Sequence, residues 1–300
     1  GYTDISNYDG SMYEWSADAT CQMDALKNYE KLVYPAWVQQ LIAGGNPGTA
    51  GSPPTYSGKP YVIVHASSLY WPEAKNPDGY NPNADYESGH IPGAINIPLH
   101  TFDIPEVPEG IYPWTCPEDG NLKAPEKLKA AIESYGITHD TMVIVYSGDE
   151  SYISGAYRVA WALMYAGVAD VRYLNGDLDL WRESGGEIET VTNTPIAVED
   201  FGATVPAHPE YYATTAEVEE MVNNPEAVIG DDRRWNEYAS DDESLACGYE
   251  FFCVTGHIAT AVWVKNQSWY LDNIYSGNDE NSASHPATMR SYTEIQKMWS

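Results

Sequence analysis

Apolar runs and amphipathic stretches follow one another along the middle of this chain, and their order predicts strands interleaved with helices. Tyr61-Val62-Ile63-Val64-His65 and Met142-Val143-Ile144-Val145-Tyr146 are short, β-branched and almost uninterrupted by polar residues, as strands buried on both faces are. Pro35 to Ile42 carries apolar residues at helical spacing, and Pro125 to Tyr135 is an amphipathic helix with proline at its start. After the second strand come a helix through Gly155-Ala156-Tyr157-Arg158-Val159-Ala160 and a third strand beginning near Val171. Such alternation is the pattern of an α/β protein with an open, mostly parallel sheet flanked by helices. Residues 44–60 are rich in Gly, Pro and Ser and read as an exposed loop. The stretch 192–212, with Pro195, Pro206 and Pro209, reads as an extended linker without regular helix.

A second signal is repetition. Tyr86-Glu87-Ser88-Gly89-His90-Ile91-Pro92-Gly93-Ala94-Ile95 returns in weakened form as Val254-Thr255-Gly256-His257-Ile258-Ala259-Thr260-Ala261-Val262. Each copy reads as a turn that delivers a short strand to a core. A helix-like run from Thr214 to Val222 and a strand through Ala227-Val228-Ile229-Gly230-Asp231 precede the second copy. The opening residues Ile5 to Trp15 mirror Val171 to Trp181. This organisation divides the chain into the tail of a preceding unit and a connector (1–28), one complete unit (29–195), a linker (196–213) and the N-terminal part of a second unit (214–300).

Charge narrows the choice of partners. Fifteen Lys and Arg stand against 44 Asp and Glu, for a net charge of −29. Such a field repels nucleic acid and anionic membrane surfaces. It also slows an anionic substrate, unless a local cationic pocket acts within the screening distance of about 8 Å at physiological salt. No apolar run of the length of a membrane span is present. The four cysteines contain no Cys-x-x-Cys pair and suggest no zinc site. Cys247 and Cys253 either close a small disulfide or stand as two separate thiols. A bridge there, with the acidity and the shortage of lysine, fits an exported, oxidising location.

The run from Gly136 to Thr190, with Val143-Ile144-Val145-Tyr146-Ser147-Gly148-Asp149, and the segment Asp231-Asp232-Arg233 with Glu237-Tyr238 beyond it, resemble the rhodanese family of sulfurtransferases. The resemblance covers about Val33 to the C-terminus and implies tandem rhodanese-like units, the last one incomplete. It implies transfer of sulfane sulfur from a donor such as thiosulfate to a thiophilic acceptor, through a cysteine persulfide and without a cofactor. The nucleophile of the family sits directly after a strand, in a loop whose backbone N–H groups lower the thiol pKa and hold the transferred anion.

In the complete unit that place falls on Ser147, in a loop that continues Gly148, Asp149, Glu150, Ser151. A hydroxyl forms no persulfide, and Asp149 with Glu150 would destabilise an anion, so this unit is expected to be catalytically silent. The resemblance places the nucleophile beyond Ser300, so that this chain alone is inactive and a second polypeptide or a longer chain completes the last unit. Asp231, Arg233 and Glu237 match the family's Asp-x-Arg…Glu segment and are the supporting site residues. The alternative for Asp231 and Arg233 is an ion pair that orders the Gly256-His257 turn. His90 and His257 are expected to be structural, bonded to backbone, and Arg158 to pack toward the neighbouring unit or cap carbonyls. A non-catalytic binding or scaffolding module is the rival function. Asn81, Asn83, Asp85 and Glu87 place oxygen atoms at alternate positions, as calcium loops do, although the central glycine and distal glutamate of an EF-hand are missing.

Overall fold

The computed structural model of the protein describes residues 28–48, 54–67, 83–99, 101–104, 121–148, 153–233, 235–239 and 256–264. A few short pieces are described besides: residues 9, 14–15, 17–18, 20–21, 275–276 and 288–289. Within 32–177 five parallel strands form one sheet, β1 (Leu32–Val33), β2 (Tyr61–Ala66), β3 (Ile95–Asn96), β4 (Met142–Ser147) and β5 (Asp170–Asp177), in the order β1-β5-β4-β2-β3. The longest ladder joins β2 to β4 from Tyr61↔Met142 to Ala66↔Ser147.

Because side chains alternate across a strand, β4 divides its apolar run between two layers. Val143 and Val145 face a core shared with α3 (Pro125–Ser134) and α4 (Ile153–Ala166), filled by Leu128, Ile132, Val159 and Leu163. Met142, Ile144 and Tyr146 face α1 (Pro35–Ile42) and α5 (Leu178–Glu183), through Trp37, Val38, Leu41 and Trp181. A strand covered on both faces has no polar side to show, which is why its sequence reads as a continuous apolar run. Helices α1 and α3 both begin on proline, at Pro35 and Pro125, where the missing N–H costs no hydrogen bond. The start of α5 is closed by Asp177, whose carboxylate accepts from the Leu180 N–H at 2.9 Å.

Residues 196–207 form no helix or strand, and they are fastened to the first unit. Phe201 is fully buried in the α3/α4 core. The Phe201 carbonyl accepts from the His139 N–H at 2.8 Å, and its N–H donates to Glu133 at 2.8 Å. One 3₁₀ turn, Pro209–Tyr211, follows. The second unit contributes α6 (Thr215–Val222), β6 (Gly230–Asp231), α7 (Trp235–Ala239) and β7 (Val262–Trp263), with β6 and β7 parallel. Thr214 and Glu217 make a reciprocal capping box at the start of α6. The short strands β8 (Tyr275–Ser276) and β9 (Thr288–Met289) pair antiparallel. The helix-like run 292–299 and the residues Cys116, Cys247 and Cys253 lie outside the described residues, and Cys21 is a free thiol.

Candidate functional site

The repeat seen in the sequence is a repeat of hydrogen bonds. In the first unit the His90 ring lies on the Tyr86 ring, 3.8 Å between centroids and 11° from parallel, with Nδ1 2.8 Å from the Tyr86 carbonyl. The Tyr86 hydroxyl donates to the Ala94 carbonyl at 2.8 Å. In the second unit His257 lies on Tyr238 at 4.0 Å and 15°, with Nδ1 2.8 Å from the Tyr238 carbonyl, and the Tyr238 hydroxyl donates to the Ala261 carbonyl at 3.0 Å. The strand registers correspond as well: Val64↔Ile95 and His65↔Asn96 match Gly230↔Val262 and Asp231↔Trp263. Both histidines therefore hold a turn against backbone. The tyrosines completing these clasps were not singled out from sequence, although each copy carries one before its Gly-His pair.

The two units differ in what tightens the clasp. In the first, Glu189 receives the Gly93 N–H and the Asn193 amide, each at 2.8 Å, and the Asn193 N–H donates to the Tyr86 hydroxyl at 2.9 Å. The Gly93 N–H and then the Asn193 amide hold the Glu189 carboxyl below its ordinary value. A carboxyl with a depressed folded pKa stabilises above the unfolded value, and that contribution disappears as pH falls through the folded one. Glu189→Gln is thus expected to flatten the fall in melting temperature below about pH 4.5, measured against the parent in a pH series by differential scanning calorimetry.

At the C-terminal end of the first sheet, where the family's nucleophile would stand, Ser147 is fully buried. Asp149, Glu150 and Ser151 lie outside the described residues. Beneath Gly148 lies a buried polar row. His65 Nδ1 is 3.1 Å from the Tyr146 hydroxyl, and Nε2 is 3.3 Å from Asp85 Oδ2. The Ile91 N–H already donates to the Tyr146 oxygen at 2.9 Å, so the Tyr146 proton points to Nδ1 and the His65 proton sits on Nε2, facing Asp85. Burial pushes the Tyr146 hydroxyl well above its ordinary value, against the pull of the Ile91 N–H. A Cβ on Gly148 would come within 3.0 Å of the His65 ring and 3.3 Å of Asp85, so the loop approaches the row too closely for any larger residue. By strand register, His65 occupies the position of Asp231, and Ser67 that of Arg233. The first unit thus has no guanidinium at the point where the second has one.

In the second unit the structure brings Asp231 and Arg233 together. Arg233 donates to both Asp231 carboxylate oxygens, at 2.6 Å from NH2 and 3.0 Å from Nε, and NH2 donates to the Gly256 carbonyl at 2.7 Å. Burial raises the Asp231 carboxyl, but the hydrogen bonds from Arg233 outweigh it and leave the carboxyl below its ordinary value. Trp263 donates its indole N–H to the Arg233 carbonyl at 2.9 Å and meets Trp235 edge to face. Glu237 stands on α7, one turn further along.

Two expectations are corrected. Arg158 neither reaches the second unit nor caps carbonyls: it donates to the buried Asp103 carboxylate at 2.8 Å and lies over the Trp161 ring. The proposed calcium loop is a helix, α2 (Ala84–Ser88), in which side chains two positions apart point to different sides. Asn83 accepts from Asn96 at 2.6 Å, Asp85 turns to Tyr86 and His65, and Glu87 is exposed, while Asn81 lies outside the described residues. Among the described residues, no cluster of three or more His, Cys, Asp or Glu side chains is placed to hold a metal.

Comparison with known proteins bears on this geometry. Residues 80–184 match the rhodanese-like domain. Over 302 aligned residues the chain is 29% identical to the thiosulfate sulfurtransferase YnjE of Escherichia coli, covering all of this chain and 58% of that protein. The solved anaerobic ergothioneine biosynthesis enzyme of Chlorobium limicola, in complex with trimethyl histidine, superposes with a TM-score of 0.71 at 28% identity, covering 95% of this chain and 61% of that one. The solved structure of EanB with a cysteine persulfide and ergothioneine gives the same TM-score, 0.71, at 28% identity and the same coverage, 95% and 61%. The chain spans about three fifths of the length of these relatives.

Proposed function

We propose, from the premise that this chain belongs to the rhodanese-like family, that it is part of a sulfurtransferase whose reactive cysteine lies outside these 300 residues. The observation that carries the reading is the pairing of Arg233 with Asp231 and the Gly256 carbonyl at the end of β6, set against a first unit with buried Ser147 and no such guanidinium. One half-site is furnished with a cation in an otherwise acidic protein, and the other is not. In the proposed reaction a thiolate attacks the outer sulfur of thiosulfate. A sulfur–sulfur bond forms to the cysteine, the bond within thiosulfate breaks, and sulfite leaves with the electron pair. An acceptor thiolate or cyanide then takes the outer sulfur and restores the thiolate. The role of Arg233 is to hold the Gly256-His257 turn and supply positive charge beside the loop, where preorganised charge acts most strongly.

The first unit serves as scaffold in this reading, and export to an oxidising compartment fits the composition. The rival, a module in which no unit is catalytic, draws on Ser147. Cyanide-dependent thiocyanate formation separates the two. The 300-residue chain is expected to show none above the uncatalysed rate, and Ser147→Cys is expected to create none, because a buried thiol with no cation beside it stays protonated. The intact protein is expected to be active and to yield a persulfide adduct by mass spectrometry. Activity of the chain that survives replacement of all four cysteines overturns the mechanism, and an inactive intact protein favours the scaffold. Trimethyl histidine, which the Chlorobium limicola relative binds, belongs among the acceptors tried.

A further inference from the structure

The two units expose the same positions very differently. Ile91 and Ile95, one and five residues after His90, are 0% and 8% exposed, whereas Ile258 and Val262, one and five residues after His257, are 50% and 49% exposed. Val228, which corresponds to the half-buried Val62, is 81% exposed. Helix α1 buries Pro35, Trp37, Val38 and Leu41, while its counterpart α6 buries no residue and leaves Met221 at 37%. Among the described residues β6 has only β7 beside it, whereas β2 lies between β3 and β4. The backbone of the second unit is nevertheless already folded as in the first, with the clasp, the register and the capping box in place.

The first unit also identifies what covers these positions. There β4 lies along the free side of β2, α4 follows it, and Glu189 with Asn193 closes over the turn. We infer that Val228, Ile258 and Val262 form a docking surface for one occupant: a parallel apolar strand, a loop and an amphipathic helix with the pattern of 142–166, from outside these 300 residues. An exposed strand edge supplies the ladder of N–H and C=O groups that such a strand pairs with, and burying three half-exposed aliphatic side chains supplies the apolar contribution. The register transfers as well. Since Ala66 pairs with Ser147 in the first unit, the last residue of the incoming strand pairs with Asp232, and its loop starts beside the Arg233 guanidinium. That the residue seated there is a reactive cysteine rests on the sulfurtransferase reading. The docking does not.

The test is amide hydrogen exchange on peptides 226–233 and 256–264, in the 300-residue chain and in the intact protein purified from its source. These amides are expected to exchange on the order of 100-fold more slowly in the intact protein. Val262→Asp and Ile258→Asp, at positions half exposed in the chain, are expected to leave its melting temperature unchanged and to abolish the added protection in the intact protein. Equal exchange in both samples overturns the inference. So does protection that appears in the chain alone as concentration rises, with the mass of a dimer, because the occupant is then a second copy. Protection in an intact protein that forms no thiocyanate upholds the docking and defeats the sulfurtransferase reading; thiocyanate formation without protection does the reverse.

Discussion

Truncating Phe201 to alanine is expected to lower the melting temperature of the protein by about 10 °C, although Phe201 lies in a proline-rich stretch with no regular secondary structure. The side chain is fully buried against Leu128, Ile132 and the α4 face, and its backbone is bonded on both sides, to His139 and to Glu133. Removing a buried phenylalanine costs about 3–5 kcal/mol, because the cavity left behind closes only partly. A domain of this size shifts by about 2–4 °C for each kcal/mol. Ile196→Ala, five residues earlier and 86% exposed, is the control and should stay within about 0.5 kcal/mol of the parent. Circular dichroism melts of the two variants read the difference directly. Equal melts would mean that 196–207 detaches from the first unit in solution.

Arg233→Ala is expected to lower thiocyanate formation by the intact protein about 100-fold, the size of effect that follows removal of one preorganised charge-stabilising group. The guanidinium joins three things: the Asp231 carboxylate at the end of β6, the Gly256 carbonyl at the head of the His257 turn, and the edge where a catalytic loop would begin. A lysine has charge without the planar fork and cannot reach carboxylate and carbonyl together, so Arg233→Lys should recover only a small part of the rate. The same substitutions release the Asp231 carboxyl toward its ordinary value. Since that carboxyl is held low in the folded protein, its contribution is present above the ordinary Asp value and fades as pH falls below it, and Arg233→Ala should remove this part of the acid sensitivity. Steady-state rates within twofold of the parent would reduce Arg233 to a brace for the turn.

Much of the first unit was legible because its signals are local and mutually consistent. The apolar runs at 61–65 and 142–146 became β2 and β4, and proline marked the first residue of both α1 and α3. Thr214 and Glu217, three apart, form a capping box. The Asp231–Arg233 pair was legible through family resemblance, since nothing in spacing alone tells an Asp-x-Arg ion pair from two solvated charges. What escaped is non-local. The Tyr146–His65–Asp85 row draws on the ends of two strands and a short helix, and no periodicity links them. Phe201 sits among Asp, Gly and Pro residues with no pattern to announce burial. The alternating oxygens at 81–87 misled because the same spacing means convergence in a loop and divergence on a helix.

The paired tyrosine–histidine clasps carry a consequence for how such a unit tolerates sequence drift. Three residues separate Tyr86 from His90, whereas eighteen separate Tyr238 from His257, yet both rings meet with almost the same spacing and tilt. Closing the longer span costs only about 1.4 kcal/mol more chain entropy than closing the shorter, since that penalty grows with the logarithm of length. The segment between aromatic and imidazole is therefore a place where material can be inserted cheaply without moving the strand that follows.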